Sequence, residues 1–258
     1  MDSTEMRKKP FIAIGFVAVT AVLLALFLPS LIHPFHSEQI QIYSNNAILL
    51  SFPISTEGAK AQAPPRFSVP ITFSFTFTML IPGTFVFRGN FYPVFLTIAA
   101  VGVSPPSVGP RGDLCGYTEK MFCNDTRVTA ILESYNIPCE YVEVDYSFQT
   151  VNETRKSLVT LDDVGGSPVL TASTIYSETY RYPMRFTTNF YHLVGNNLTI
   201  GHLRMQTSIC SNDARANLTF PLNTFFFDLM ETTYVFNTFC AIYSDWTLQG
   251  EIGWRLWP

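Results

Sequence analysis

The chain has 258 residues, of which 14% are charged and 15% aromatic, with 23 Phe and a formal net charge of −4. Ordinary globular proteins carry roughly 25% charged residues, so this chain can bury a large core but is short of groups that keep a surface hydrated. The small net charge and the absence of a basic patch argue against nucleic acid as a partner.

Residues 1–10 read as a short cytoplasmic tail ending in Arg7, Lys8 and Lys9 before Pro10. From Phe11 to Ile32 no residue is charged, and about 20 apolar residues as a helix match the bilayer hydrocarbon. The run exceeds the roughly 7–15 residue core of a signal peptide, and no small-x-small cleavage site follows it. Residues 11–32 are therefore expected to form a retained signal-anchor helix. The bases precede the run and none follows before Lys60, which places the N-terminus in the cytoplasm and the bulk of the chain on the extracellular or luminal side. The expectation is a single-pass type II protein, integral to the plasma membrane or the secretory pathway.

Residues 33–66 read as a membrane-proximal stem and linker. Ile40, Ile42, Ile48 and Leu50 suggest short strands there, and the Pro pair within Thr56–Arg66 marks a loop. Residues 67–258 form the expected β-rich domain. In Ile71–Met79 apolar residues alternate with Thr and Ser over nine positions, the mark of a strand with one buried face. Pro82-Gly83 predicts a turn, Val94–Val103 an apolar strand covered on both faces, and Ser104–Asp113 a loop. Val128, Ile131, Leu132 and Tyr135 recur at helical spacing after Asp125, a ready N-cap, and Pro138 follows. Val142, Val144, Tyr146 and Phe148 resume the period of two. Further strand-like segments follow every 8–14 residues or so, a spacing that points to a sandwich or barrel. The fold class read from these patterns is mainly β: a transmembrane helix, then a β-sandwich-like ectodomain with one short helix.

All five cysteines, Cys115, Cys123, Cys139, Cys210 and Cys240, lie beyond the anchor without CxxC spacing. In an oxidising compartment they are disulfide candidates, with one left over and the connectivity open. Cys115 with Cys123 would close a short loop, and Cys210 and Cys240 fall in β-like segments that could be bridged. Asn124, Asn152, Asn197 and Asn217 begin N-x-S/T sequons and are candidate glycosylation sites. Arg111-Gly112-Asp113 sits in a Gly/Pro-rich loop and offers an integrin-type binding tripeptide, although Gly-Asp is also ordinary turn chemistry.

No catalytic cluster emerges. There is no GxSxG turn, Asp162-Asp163 reads as the start of the Gly165-Gly166 turn, and His192 and His202 are expected to face each other across a hairpin turning near Gly195-Asn196. No metal or cofactor is called for. The function expected from the sequence is a non-enzymatic surface glycoprotein for binding, adhesion or assembly, with a protein partner. The alternatives are a membrane-active, lipid-contacting protein using the Phe-rich strands, and a luminal enzyme of the secretory pathway, whose mark would be a pocket of converging acids or His.

Overall fold

Twelve strands and two short helices make up the residues that the computed structural model describes, namely 36–54, 56–69, 74–104, 114–152, 154–177, 182–219 and 238–256. In chain order they are β1 (His36–Ser44), β2 (Ala47–Ile54), α1 (Thr56–Gln62), β3 (Ser74–Phe87), β4 (Asn90–Gly102), β5 (Leu114–Cys123), α2 (Thr126–Ser134), β6 (Cys139–Tyr141), β7 (Glu143–Val151), β8 (Thr154–Asp162), β9 (Pro168–Ser177), β10 (Tyr182–Val194), β11 (Asn197–Thr219) and β12 (Thr238–Leu256). Apart from His36, the first residue of β1, the sheet lies within the unit of residues 37–258.

The sheet closes on itself. β12 pairs with β2 along Phe239–Tyr243 and with β11 from Asn197↔Leu256 to Ala216↔Thr238. The path β12-β2-β3-β4-β5-β10-β11 then returns to β12, giving a seven-stranded barrel. All pairs on this path are antiparallel except β5–β10. β11 is 23 residues long because it serves two neighbours in turn. Its first half pairs with β10, and its last residues, Ala214–Thr219, pair with β9. β9, β8 and β7 extend from there as a three-stranded flap.

The expectation of a mainly β fold is met, whereas the sandwich is corrected to a barrel. A period of two shows that one face of a strand is buried, but it does not distinguish two stacked sheets from one closed sheet. Pro82-Gly83 is not a turn. β3 runs through it, with Pro82 opposite Phe95 and Gly83 opposite Val94. On its other edge β3 changes partner at this point, from β2 (Ile48↔Leu80) to β1 (Tyr43↔Thr84). A proline, which has no N–H to give, falls in that gap, and Ser44 Oγ donates to its carbonyl at 2.5 Å. Gly83 is needed there because a Cβ would stand 2.0 Å from the Tyr43 carbonyl oxygen. Thr56–Arg66 begins as the helix α1 rather than a loop, and β2, read as part of a stem, is a barrel strand.

The barrel interior is apolar. Phe77, Met79 and Ile81 of β3, Leu96, Ile98 and Ala100 of β4, Met121 of β5, Phe190 of β10, Leu203 and Met205 of β11, Ile252 of β12 and Leu49 of β2 form one buried cluster. Phe77 and Phe190 meet at 5.9 Å between ring centroids although β4 and β5 lie between their strands, so both rings cross the lumen. Val128 and Leu132 of α2 join the same cluster. Phe87 meets Tyr135 edge-on, and Thr199 Oγ1 donates to the Tyr135 carbonyl at 2.6 Å. The end of α2 is thereby tied to β3 and β11. The other side of the wall is covered too. Phe67, after α1, lies on Tyr117 and Tyr191, and Phe95 meets Tyr146 of the flap at 5.2 Å. Val94 to Val103 is buried throughout, as expected of a strand covered on both faces.

α2 starts as its sequence dictates. The Asp125 carboxylate accepts from the backbone N–H of Arg127 at 2.8 Å and of Val128 at 3.3 Å, and the Arg127 side chain beside it holds the carboxyl below its usual range. Removing such a cap costs about 1 kcal/mol. Asp125→Ala is expected to lower the denaturant midpoint by that amount without changing the slope, and Asp125→Asn to keep most of the stability.

Candidate functional site

A barrel filled with apolar side chains offers little chemistry, so the polar groups built into its wall carry the search. β10 and β11 form a hairpin that turns at Gly195-Asn196, as expected, but the register sets His192 opposite Thr199 and His202 opposite Asn189. The two histidines are not partners. His192 lies over Tyr117, with 5.7 Å between ring centroids, and its Nδ1 donates to the Thr118 carbonyl at 2.7 Å.

Asn189, with no exposed surface, is the centre of a hydrogen-bonded chain. Its amide Nδ2 donates to the Tyr191 hydroxyl at 3.0 Å and lies 4.0 Å from the Cys115 sulfur, which is itself 3.9 Å from the Tyr191 hydroxyl. With Nδ2 so engaged, Oδ1 is the acceptor that meets His202 Nδ1 at 2.6 Å. His202 therefore carries its proton on Nδ1, and Nε2 is left as the basic nitrogen. A buried amide that fixes a histidine tautomer is the arrangement that prepares an imidazole for proton transfer.

His202 stands in a cleft of about 260 Å³ that it lines with Gln39, Arg204, Gln249, Gly250 and Glu251. Glu251 lies directly opposite His202 and Gln249 opposite Arg204 on the paired strands β12 and β11. Gln39 Nε2 donates to the Glu251 carboxylate at 2.9 Å. Gly250 allows this close strand approach, since a Cβ would fall 2.0 Å from the His202 carbonyl oxygen. Burial lowers the His202 pKa from its usual value. The Glu251 charge opposes that shift and the Arg204 charge adds to it. The result is an imidazole that stays neutral at neutral pH between one cation and one anion. Desolvation likewise raises the Tyr191 hydroxyl, the largest of several causes, so Tyr191 acts as a neutral hydrogen-bonding group. Among the described residues no three His, Cys, Asp or Glu side chains converge as metal ligands would.

The residues singled out in the sequence lie elsewhere. Arg111, Gly112 and Asp113 are outside the described residues. Asn124 accepts from the Phe95 N–H at 2.7 Å, Asn152 takes a left-handed conformation in the β7–β8 turn, Asn197 opens β11, and Asn217 lies within β11 opposite Ser173. Cys115, Cys123 and Cys139 are all buried. Cys115 and Cys123 occupy opposite ends of β5, eight positions apart at about 3.3 Å each, which is beyond a disulfide's reach. Cys210 pairs in register with Tyr243, and Cys240 with Ala214. Asp163 shapes its turn as expected, accepting from the N–H groups of Gly165 and Ser167, each at 2.8 Å. Of the cleft residues, His202 alone is among those that stand out in the sequence.

No protein-family model matches the chain, and no curated protein matches it. Solved structures do. An acetoacetate decarboxylase from Legionella pneumophila superposes with a TM-score of 0.59 at 12% identity, covering 86% of this chain and 88% of that one. The enduracididine biosynthesis enzyme MppR in complex with pyruvate gives 0.53 at 8% identity, covering 86% and 90%. A further acetoacetate decarboxylase gives 0.52 at 11%, covering 86% and 89%. At these identities the likeness is one of fold.

These matches correct the functional expectation. The barrel has the fold of acetoacetate decarboxylase-like enzymes, which overturns the reading of a non-enzymatic glycoprotein for binding, adhesion or assembly. The lipid-contact alternative fails on its own ground, because the apolar run of β4 is wall and not surface. The type II membrane topology, the integral membrane partnership and the integrin-type partner are withdrawn with it. No helix among the described residues is long and apolar enough to cross a membrane, and the block Phe11–Ile32 lies outside them. The apolar richness that suggested lipid instead fills a barrel and covers its wall.

Proposed function

We propose that this protein is an enzyme that binds a small oxo acid in the His202 cleft and moves a proton at the carbon beside the carbonyl group. The observation that carries the reading is the hydrogen-bonded chain from Tyr191 through Asn189 to His202, which presents a neutral imidazole with a fixed tautomer between Arg204 and Glu251. The fold neighbours support the substrate class, since they include acetoacetate decarboxylases and an enzyme crystallised with pyruvate. A cleft of about 260 Å³ suits an acid of a few carbons.

In this reading the Arg204 guanidinium pairs with the substrate carboxylate. His202 Nε2 takes the proton from the adjacent carbon, the electron pair of that C–H bond becomes a carbon–carbon double bond, and the carbonyl π pair moves onto oxygen, giving an enolate. Reprotonation of carbon by the imidazolium completes the exchange. An amine route of the kind acetoacetate decarboxylase uses requires a lysine that is desolvated or set beside another cation. The described lysines do not fit that need: Lys60 and Lys156 are exposed, and Lys120 is ion-paired with Glu140 over the Phe122 ring.

The test is proton exchange. Incubated in D2O with pyruvate or 2-oxobutyrate, the protein is expected to exchange the protons beside the carbonyl faster than buffer does, as followed by NMR. Borohydride added with the oxo acid is expected to leave the protein mass unchanged. A reduced adduct on a lysine, or no exchange above buffer with either acid, would remove the reading.

A further inference from the structure

The flap ends in an open strand. β7 pairs with β8 from Glu143↔Asp162 to Val151↔Thr154, and among the described residues no strand lies on its other side. Residues 152 and 153 alone join the two strands, so the closing pair Val151–Thr154 exchanges both of its backbone hydrogen bonds. The alternation then assigns every position. Residues 143, 145, 147, 149 and 151 turn N–H and C=O toward β8, while Val144, Tyr146, Phe148 and Thr150 turn theirs toward the open edge.

Natural edges are protected by shortness, proline, lysine or a bulge. β7 has nine residues, EVDYSFQTV, with no proline or lysine and an unbroken register against β8. Tyr146 and Val151 remain 48% and 51% exposed. Its only charges, Glu143 and Asp145, lie in its first half.

We propose that β7 pairs antiparallel with β7 of a second copy of this chain, about a two-fold axis through Ser147, joining the two flaps into one continuous sheet. Ser147 is the middle residue of the strand, so this register alone overlaps all nine positions. It sets Tyr146 opposite Phe148 of the second copy twice over, a cross-strand aromatic pair of the stabilising kind. It sets Asp145 opposite Gln149 and Glu143 opposite Val151, so no two acids meet. Moving the axis to Asp145 would oppose two carboxylates and leave the end of the strand unpaired. The hydrogen-bonding phase agrees as well. Tyr146 and Phe148 point their backbone groups outward and bond across the axis, while Ser147 sits at a non-hydrogen-bonded position, where side chains come closest and a small one fits.

Sedimentation of the full chain across a range of concentrations tests the pairing. The wild type is expected to associate to a dimer. Ser147→Lys, an exposed site whose backbone bonds serve β8, sets two ammonium groups face to face and is expected to weaken association at least tenfold with an unchanged far-UV spectrum. Val164→Lys, in the exposed β8–β9 turn, is expected to leave it unchanged. Under mild oxidation Ser147→Cys is expected to give a reducible covalent dimer above the wild-type background, and Gln149→Cys is not. A wild type that sediments as a monomer throughout, a dimer that survives Ser147→Lys, or equal cross-linking of the two cysteine variants would overturn the proposal.

Discussion

Phe77→Ala is expected to lower the unfolding free energy by about 3–5 kcal/mol, the usual loss when a buried Phe is truncated and a cavity remains. Phe77 is only 1% exposed, and it supports the barrel at three points. It meets Phe190 across the lumen, and its ring tip fills the space in front of Gly116, where an added Cβ would lie 2.4 Å from Cζ. The third contact is with the apolar cluster of β3 and β4. Because those contacts come from strands that are not neighbours, the cavity cannot close by a local shift. A loss of this size is a large share of a typical domain's stability. Denaturant unfolding checks it, with Leu158→Ala on the exposed face of the flap as the control, expected within about 0.5 kcal/mol of wild type. A loss below about 1 kcal/mol for Phe77→Ala would mean that the interior is not packed as described.

Local signals in the sequence were legible wherever one residue decides a local structure. Asp125 announces α2 because its carboxylate reaches the first free N–H groups of the helix. Gly195-Asn196 and Asp163 with Gly165-Gly166 announce their turns. β7 shows its two faces through Val144, Tyr146 and Phe148. Closure of the barrel was not legible, because it rests on β12 meeting β2, a pairing across about 190 residues with nothing in either strand to mark it. Pro82-Gly83 misled for a related reason. It marks a change of partner on one edge of β3, which in sequence resembles a turn. The site escaped because its members come from four strands. His202 and Asn189 are 13 residues apart, and Gln39 and Glu251 are 212 apart. No motif spans such distances, and the only local clue was a histidine and an arginine two apart on one face of β11.

The pH dependence of the exchange reaction follows from that cleft, and it is expected to separate His202 from every other base. General base catalysis needs the neutral imidazole, and burial lowers the His202 pKa from its usual value of about 6.5. The exchange rate should therefore rise with pH, reach half its maximum below pH 6.5 and stay level through neutrality. His202→Gln keeps a donor for Asn189 Oδ1 but has no basic nitrogen, and it is expected to slow exchange by about 10²–10⁴ and to abolish the acid limb. The neighbours should move the midpoint in opposite directions. The Glu251 charge favours the imidazolium, so Glu251→Gln should lower the midpoint, and the Arg204 charge disfavours it, so Arg204→Gln should raise it. Stability has its own pH window with the same sign. His192 and His202 both have pKa values lowered in the folded state, chiefly by burial. The unfolded chain then binds more protons between the folded and unfolded values, so their contribution is complete above about pH 6.5 and is lost as pH falls through the lowered pKa values. His192→Asn should shrink that loss while leaving the midpoint of the exchange profile in place. A His202→Gln variant that kept the acid limb would locate the base elsewhere.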